Sequence, residues 1–532
     1  MAKPQTLLAL SLLGATFILA RMEAGILCLW PSLVAILAVI LFRSALPGLL
    51  IGAACGSILL CEGQPVRAST SFFTNHLLPS LQSEWNLSVL AFTFLLGGFA
   101  ALLESGRGFE GILGWFLRGN GNTGKRVQWS AYAMGTICFF DGLASSLLTG
   151  KAIRPLADKT GVSRAKLAYI VDSTSSAVAC VAIMSTWIAY QLSMIREGYA
   201  QAGIVGNDPF SVFLQSIPRN YYCWFTLALL AVAIRKPWNP GPMGKHEDKT
   251  GGNKTSLQQV GLQGQAWRAT VPLIALVFCL FAGLYIDGSG GDAFPLSLGK
   301  LKEAFGDARS NLVLLYASAT ACLVAWACNA SPILESKQDP GKVFMDGMQR
   351  FFSPCLILVA AWCLGSTLAQ LDASGYLSIL LKGNLPPPLF PLAVFLLGVL
   401  VSFTTGTSWG TMGVLMPLAL PVCFALAPGN EAMVASVVAA VFSGAVFGDH
   451  CSPLSDTTIV SAMSCDLEPF VHVQTQLPYA LTAAMVASVC GFLPLGFGTN
   501  PWICLTAGFI SILVIPMLHS RFPRKNGAEG NS

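Results

Sequence analysis

Residues 448–461 read GDHCSPLSDTTIVS and place two carboxylates, a histidine and several hydroxyls close together in the chain. Directly before them, residues 435–447 read ASVVAAVFSGAVF, which is apolar enough to lie in a membrane. As one continuous helix, the segment 432–464 would be about 50 Å long, whereas the hydrocarbon core of a bilayer is about 30 Å thick. We therefore predict a helix that is broken inside the membrane, with the polar residues at its unwound centre.

The composition of the chain supports this interpretation. Of the 532 residues, 54% are hydrophobic and only 11% are charged, and the mean hydropathy is +0.63. Soluble domains carry about 25% charged residues, and the apolar blocks here, roughly 15–22 residues each, are long enough to span a bilayer as helices. The alternating segments of a β-barrel are absent. The sequence therefore predicts an all-α polytopic membrane protein, whose formal charge of +5 belongs to its loops and does not indicate nucleic-acid binding.

A second long segment and two segments with polar centres complete a pattern. The long segment is 166–195, with its polar stretch VDSTSS as the expected unwound centre, and the other two are 128–150 and 386–426. Lys and Arg favour the cytoplasmic side of a membrane. Most of the 31 Lys and Arg residues of this chain fall on that side if 128–150 and 386–426 are re-entrant hairpins that enter the membrane from opposite faces. Hairpin and broken helix then occur twice in the same order, which predicts an inverted-repeat transporter with about 12 full spans.

The same pattern divides the chain into five regions. They are N-terminal transmembrane helices (1–86), a first inverted repeat (87–235), a cytoplasmic linker rich in Pro, Gly and polar residues (236–267), a second inverted repeat with flanking helices (268–518) and a basic cytoplasmic tail (519–532). The first apolar segment lacks the small–x–small pattern of a signal-peptide cleavage site, which favours a retained helix over a signal peptide. Both termini are then expected in the cytoplasm of a bacterial cell, with the N-terminus outside if that segment is cleaved.

Polar residues at membrane depth indicate a binding site. Backbone that leaves the helical conformation there must be satisfied by protein, water or ligand, and Gly permits such a conformation. Freed carbonyls and hydroxyls suit a small cation, while a carboxylate adds charge and can take a proton. Broken helices at the midplane are where secondary transporters bind substrate and coupling ion. The candidate residues for substrate or ion binding are Asp141, Ser145, Asp172, Ser173, Thr174, Gly406, Thr407, Ser408, Asp449, Ser452, Asp456 and Thr457.

Each candidate also has a structural interpretation. Asp141 could cap the second limb of its hairpin, and the Ser and Thr hydroxyls could simply bond to the preceding helical turn. His450 could share protons with Asp449 or only line a cavity, and Asp372 lies where a membrane interface is expected. Three basic residues are interpreted as markers of the cytoplasmic side: Lys151, Arg154 and Lys166.

The chain carries no enzyme signature. HExxH and a Walker phosphate-binding motif with its closing Ser or Thr are absent from the sequence, so no enzyme is predicted. Without an ATP-binding domain, transport is expected to run on an ion gradient.

Four motifs resemble the NhaC-type Na⁺/H⁺ antiporter family of the ion transporter superfamily. They are KAIRPLADKTGVSRAKLAYIVDSTSSAV (151–178), GTSWGTMGVLMPLALPV (406–422), FGDHCSPLSDTTIVSAMS (447–464) and HVQTQLPYAL (472–481). The likeness covers residues 90–520 apart from the central linker. It implies inverted repeats, re-entrant hairpins, two broken helices and cation-coupled transport.

The resemblance also carries over the family's polar positions. They fall on Thr407, Ser408, Asp449, Ser452 and Asp456, with Asp172, Ser173 and Thr174 as counterparts in the first half. Members of the family often place two acidic residues in the first hairpin, where this chain has only Asp141 followed by glycine. That departure leaves the stoichiometry and the transported solute open.

The leading hypothesis is Na⁺/H⁺ antiport by competition at one carboxylate-centred site. Na⁺ would lie at Asp449, Asp456 and Asp172, with Asp449 or Asp456 as the group that exchanges the proton. Burial raises the pKa of a carboxylic acid, which lets protons compete near neutral pH.

The alternative is a Na⁺- or H⁺-coupled carrier of a small organic acid or amino acid, and a third hypothesis is an ion channel. No cofactor is expected beyond Na⁺ and H⁺ as coupling ions. The expected partners are the lipid bilayer, a small cation and, in the alternative, an organic solute, with a homodimer as one option for the oligomeric state.

Overall fold

The computed structural model describes residues 4–521 apart from residues 23–24, 118–122, 205–206, 237, 249–263, 291–299, 301–303 and 306. Half of the predicted linker and most of the predicted tail therefore lie outside the described residues. Every regular element in the described ranges is helical, and we number the α-helices in chain order.

The helices before the linker are α1 (Pro4–Leu19), α2 (Trp30–Phe42), α3 (Ala45–Leu60), α4 (Pro65–Ser71), α5 (Leu78–Gln82), α6 (Glu84–Ser105), α7 (Gly108–Leu117), α8 (Thr123–Ile137), α9 (Gly142–Thr160), α10 (Arg164–Val181), α11 (Thr186–Gln201), α12 (Pro209–Ser216), α13 (Tyr221–Arg235) and α14 (Pro242–Asp248). Those after it are α15 (Trp267–Gly288), α16 (Ser310–Glu335), α17 (Pro340–Arg350), α18 (Phe352–Gln370), α19 (Ala373–Leu381), α20 (Phe390–Thr405), α21 (Ser408–Leu426), α22 (Glu431–Cys451), α23 (Asp456–Ser464), α24 (Pro469–Val486), α25 (Leu493–Gly496) and α26 (Pro501–Arg521).

Nine helical stretches in the described part of the chain are long and apolar enough to cross a membrane, or up to ten if α10 and α11, bent by 46°, form one broken span. The prediction of an all-α membrane protein is thereby confirmed. The number of about 12 spans stays a prediction, because several further apolar helices are shorter than a full span.

Each of the four segments singled out in the sequence, namely 128–150, 166–195, 386–426 and 432–464, contains a break between helices, at which a polar side chain caps the helix that follows. The interruptions are residues 138–141, 182–185, 406–407 and 452–455, and the caps are Asp141 on α9, Ser185 on α11, Thr407 on α21 and Ser455 on α23. The first N–H groups of a helix have no partner within it, and a side-chain oxygen of Asp, Ser or Thr supplies one. These polar residues therefore start new helices where apolar neighbours could not.

Both long segments are interrupted, but the first is interrupted elsewhere than predicted. The stretch VDSTSS (171–176) lies inside α10, and the break follows at 182–185. The hydroxyls of Thr174 and Ser175 donate to carbonyl oxygens of the preceding turn, so they do not require an unwound backbone. In the second segment the break at 452–455 does fall within the opening stretch, after Asp449 and His450 at the end of α22.

Helices from the two halves of the chain pack across each other. Helix α9 lies on α23, where the hydroxyl of Ser461 donates to that of Ser146 at 2.9 Å. Helix α11 lies on α21, where the hydroxyl of Tyr190 donates to the carbonyl of Trp409 at 2.6 Å. In both contacts a helix that follows a break packs against a helix that follows a break in the other half of the chain, and the four breaks meet in the interior.

Candidate functional site

A cavity of about 140 Å³ lies where the breaks meet. Its walls contain seven of the twelve residues predicted to bind substrate or ion, namely Asp141, Gly406, Thr407, Ser408, Asp449, Asp456 and Thr457. The rest of the lining is mostly apolar: Leu143, Thr186, Trp187, Phe351, Pro354, Ile357 and Trp409. We call this space the central cavity.

Asp449 is a buried carboxylate in the wall of the central cavity. Its side chain is 6% exposed, and the hydroxyl of Ser408 donates to its Oδ2 at 2.7 Å. The hydroxyl of Ser455 lies 3.3 Å from Oδ1. These donors begin α21 and α23, so hydroxyls from two different helix starts hold one carboxylate.

The backbone around Asp449 is held by the same short stretch. The hydroxyls of Thr457 and Thr458 donate to the carbonyl oxygen of Asp449 at 2.9 and 2.6 Å. Asp456, the first residue of α23, lines the cavity and is exposed there. Two carboxylates and several hydroxyl oxygens therefore face one space, and hard oxygen ligands of this kind suit a small cation.

The first half of the chain contributes Asp141 to the opposite wall. Asp141 accepts a hydrogen bond from the backbone N–H of Ala144 at 2.6 Å, which confirms its capping role, and another from the hydroxyl of Thr186 at 2.8 Å. The backbone N–H of Thr186 donates to the carbonyl of Phe140 at 2.9 Å. The breaks at 138–141 and 182–185 are thus tied together, as Ser408 and Asp449 tie the other two.

The starts of α9, α11, α21 and α23 all lie at the central cavity. The N-terminus of a helix carries a partial positive charge, which favours anionic groups within its first turn. This shared placement stabilises Asp141, Asp449 and Asp456, and it would also favour a bound carboxylate.

Asp172 and Ser173 lie outside the central cavity, in a second group of polar residues. The Oδ2 atom of Asp172 lies 3.1 Å from Nε2 of His472 and accepts a hydrogen bond from Nε2 of Gln476 at 2.7 Å. The hydroxyl of Ser461 donates to Oδ1 at 3.2 Å. Asp172, His472 and Gln476 are fully buried, and we call this group the Asp172 network.

His450 connects the Asp172 network with the central cavity. Its Nε2 lies 2.7 Å from the hydroxyl of Ser173, and its Nδ1 lies 2.7 Å from the hydroxyl of Tyr222. Gln476 also donates to the carbonyl oxygen of His450. His450 directly follows Asp449 in the chain. The carboxylate of Asp172 is therefore linked, through Ser173, Gln476 and His450, to the residue next to Asp449.

The remaining predicted residues make structural hydrogen bonds. The hydroxyl of Ser145 donates to the carbonyl of Gly135 in α8, and that of Ser452 donates to the carbonyl of Phe403 in α20. Thr174 bonds within its own helix. The described residues contain no group of three or more His, Cys, Asp or Glu side chains that could hold a metal ion, so a cation in the cavity would depend on hydroxyl oxygens as well.

Several residues of the two groups were missed by the sequence analysis. His472 and Gln476 stand four residues apart in the motif HVQTQLPYAL, a spacing that places both on one face of a helix and could have singled them out. Thr186 and Ser455 offer no such signal, because their roles depend on contacts with distant parts of the chain. Lys166, interpreted above as a cytoplasmic marker, is in fact only 2% exposed.

Comparison with known proteins gives a family and a fold. Residues 178–497, more than half of the chain, match the sequence model of the Na⁺/H⁺ antiporter family. An uncharacterized protein of Haemophilus influenzae is 29% identical over 91% of this chain and 93% of its own length.

Two relatives with transporter names match over shorter stretches. The malate-2H⁺/Na⁺-lactate antiporter of Bacillus subtilis is 30% identical over 30% of this chain and 34% of its own length. The Na⁺/H⁺ antiporter NhaC of Alkalihalophilus pseudofirmus is 29% identical over 33% of this chain and 37% of its own length. The crystal structure of the Alcanivorax borkumensis YdaH transporter covers 82% of this chain and 90% of its own with a TM-score of 0.51 at 15% identity, which is a likeness of fold.

Proposed function

The chain belongs to the Na⁺/H⁺ antiporter family, and from that membership we propose that it is a secondary active transporter that exchanges Na⁺ for H⁺ across a bacterial cell membrane. The observation that carries the proposal is the setting of Asp449, a buried carboxylate held by hydroxyls from two helix starts and sharing a cavity with Asp456.

Exchange follows if Na⁺ and H⁺ exclude each other at this carboxylate. An isolated buried carboxylate is costly to keep charged, and either a cation or a proton neutralises it. Na⁺ would take oxygens of Asp449 and Asp456 with hydroxyls of Thr407, Ser408 and Thr457. A proton on Asp449 would remove the charge that holds the cation. In this proposal Asp172 is left out of the Na⁺ site, because its carboxylate is occupied by His472, Gln476 and Ser461.

Access to the site would alternate by movement of the core against the remaining helices. We propose that α8–α9 and α20–α21 are re-entrant hairpins and that the two halves form inverted repeats, with about 12 spans in all. The repeated order of breaks and the reciprocal packing of α9 on α23 and α11 on α21 support this arrangement.

Replacing either carboxylate of the cavity tests the proposal. We expect Asp449→Asn and Asp456→Asn each to lower Na⁺-dependent proton movement in everted vesicles at least ~10–100-fold, the size of effect that loss of an ion ligand or its support produces. Asp346→Asn is the matched control, because Asp346 is exposed on α17 and does not line the cavity. Wild-type exchange by a well-expressed Asp449→Asn protein would refute the assignment.

A second candidate function is Na⁺- or H⁺-coupled transport of a small organic acid. The apolar part of the cavity wall favours it, because Trp187, Trp409, Phe351 and Ile357 offer no ligand to a bare ion but would pack against a carbon skeleton. Uptake of labelled lactate, malate or amino acids by proteoliposomes distinguishes the two. Metabolite uptake with no Na⁺/H⁺ exchange in its absence would favour the second function.

A further inference from the structure

The Asp172 network contains buried polar atoms that have no partner. Within the described residues, Nδ1 of His472 and Oε1 of Gln476 are enclosed and make no hydrogen bond, and neither does the hydroxyl of Ser176, four residues after Asp172 on α10. More than about 90% of buried polar groups in proteins are paired. The ring nitrogen of His472 and the amide oxygen of Gln476 therefore leave two unused hydrogen-bond acceptors beside one buried carboxylate, which is where an added proton would be bound.

We propose that Asp172 and His472 carry a second transported proton, separate from the Na⁺ site of the central cavity, so that exchange moves more than one proton per Na⁺. This inference rests on the Na⁺/H⁺ exchange proposed above and adds a proton site to it.

The geometry shows where the proton goes. With a proton on Nε2, neutral His472 donates to Oδ2 of Asp172 and leaves the lone pair of Nδ1 free. An incoming proton forms an N–H bond at Nδ1, no other bond breaks, and the pair becomes imidazolium and carboxylate. The proton thereby cancels one buried negative charge.

The titratable groups that face this pair are few. Helix α22 contributes Asp449, His450 and Cys451, α13 contributes Tyr222, the turn after α23 contributes Cys465, and α10 itself contributes Lys166 and Tyr169. Helix α14 contributes Glu247 near Lys166, while α9 and α23 offer the hydroxyls of Ser146 and Ser461.

A column of polar side chains leads from the pair towards the start of the central linker. Along α10 and α24, which run side by side, the column continues through Tyr169 and Tyr479, whose rings stack at 4.1 Å. Lys166 follows, with Nζ donating to the hydroxyl of Tyr479 at 3.4 Å and to Oδ1 of Asn239 at 2.9 Å. Asn239 is partly exposed, so the column ends at the surface. None of these side chains lines the central cavity.

The two sites are close enough to be coupled. Gln476 bonds both to Asp172 and to the carbonyl of His450, and Ser173 bonds to the ring of His450. A change at Asp172 is therefore transmitted to the residue that follows Asp449.

The number of protons per Na⁺ can be measured in proteoliposomes that hold the full chain. With the voltage clamped to zero by valinomycin and equal K⁺, a tenfold Na⁺ gradient is worth about 1.4 kcal/mol. It is balanced by a pH difference of about 1 if one proton moves, and of about 0.5 if two protons move. We expect the wild type to balance near 0.5 pH units, and His472→Gln and Asp172→Asn to balance near 1.

A matched control is His76→Gln. His76 is fully buried, bonds through Nδ1 to the hydroxyl of Ser366 and, like His472, has one ring nitrogen without a partner. Its substitution should leave the balance point unchanged. Exchange of labelled Na⁺ against Na⁺ needs only the central cavity and should persist in His472→Gln, which also shows that the variant is folded.

The outcomes separate this inference from the proposed function. A wild-type balance point near 1, or one in His472→Gln equal to that of the wild type, would overturn the second proton site. Loss of Na⁺/Na⁺ exchange in His472→Gln would count against it too, because the pair would then belong to the Na⁺ site or to the fold. Absence of any Na⁺/H⁺ exchange in the wild type would instead refute the proposed function.

Discussion

Thr186 holds the carboxylate of Asp141 in place across two helix breaks. Its hydroxyl is buried and donates to Oδ2 of Asp141 at 2.8 Å. A hydrogen bond to a charged group contributes about 1.5–3 kcal/mol, and leaving such a group short of a donor costs a similar amount. We expect Thr186→Val, which keeps the shape but removes the hydroxyl, to lower the free energy of unfolding by about 1.5–3 kcal/mol, measured as a lower unfolding temperature in detergent.

Thr186→Ser is the control for this change, because it keeps the hydroxyl. It should unfold within a few degrees of the wild type. Equal unfolding temperatures of the Val variant and the wild type would show that Asp141 is neutral or finds another donor.

Residues with an unusual chemistry for a membrane could be predicted, and residues with an ordinary one could not. Asp141, Asp449 and Asp456 were singled out because a carboxylate is expensive in an apolar segment, and all three line the central cavity. Thr186 could not be singled out, since Ser and Thr are common in membrane helices and only its contact with a carboxylate 45 residues away gives it a role. Ser145 and Thr174 show the opposite error, because they were predicted to bind an ion or substrate but their hydroxyls bond to backbone carbonyls. The sequence alone does not distinguish a hydroxyl that binds an ion from one that bonds to the backbone.

At the level of elements, the break between α20 and α21 depends on Gly406. This residue has φ = +69°, and a Cβ atom built on it would lie 2.5 Å from Cβ of Leu454 in the other break. Left-handed backbone costs an L-residue about 1–2 kcal/mol, and the close approach adds a steric cost. We therefore expect Gly406→Ala to lower the unfolding temperature and to reduce exchange, because the two breaks that frame Asp449 would be pushed apart.

Gly383→Ala separates the two costs. Gly383 also has a positive φ, of 88°, but nothing lies within 4 Å of the position that its Cβ would take. Gly383→Ala should therefore be destabilised only by the unfavourable backbone conformation. We expect it to lose clearly less stability than Gly406→Ala and to exchange at the wild-type rate. Equal effects of the two substitutions would show that the contact between the breaks is unimportant.

The position of a break is harder to predict than its existence. Segment length relative to bilayer thickness was enough to predict that both long segments are interrupted, and the break at 452–455 contains the expected Pro and Ser. The break at 182–185 reads AIMS and carries no turn residue apart from Ser185, the cap of α11. The neighbouring VDSTSS was the more obvious candidate, yet its hydroxyls bond within α10 and its carboxylate bonds sideways to α23 and α24.

On the scale of the whole molecule, the interior is built from both halves of the chain at once. The resemblance to the NhaC-type family drawn from four short motifs is confirmed, and three of those motifs meet in the Asp172 network although they are far apart in sequence. Asp172 comes from the first half, and Ser461, His472 and Gln476 come from the second. Neither half alone could complete this network or the central cavity.

This construction predicts how the protein tolerates being divided. A cut within residues 249–263 separates α1–α14 from α15–α26 and leaves every contact described above intact. We expect the two fragments to assemble when they are produced together and to restore Na⁺-dependent proton movement, because the contacts of α9 with α23, α11 with α21 and α10 with α24 would draw them together. Each fragment produced alone would leave buried polar groups such as Asp172 without partners and should be degraded or aggregate.

Co-purification on a tag carried by one fragment, followed by transport assays, measures this outcome. A cut at 406–407 is the contrasting case, because it leaves the start of α21, where Ser408 bonds to Asp449, as a loose chain end. This cut should abolish exchange even if the two pieces associate. A monodisperse, stable first fragment on its own would contradict the prediction, since it would mean that the halves fold as independent units and that their crossed packing is secondary.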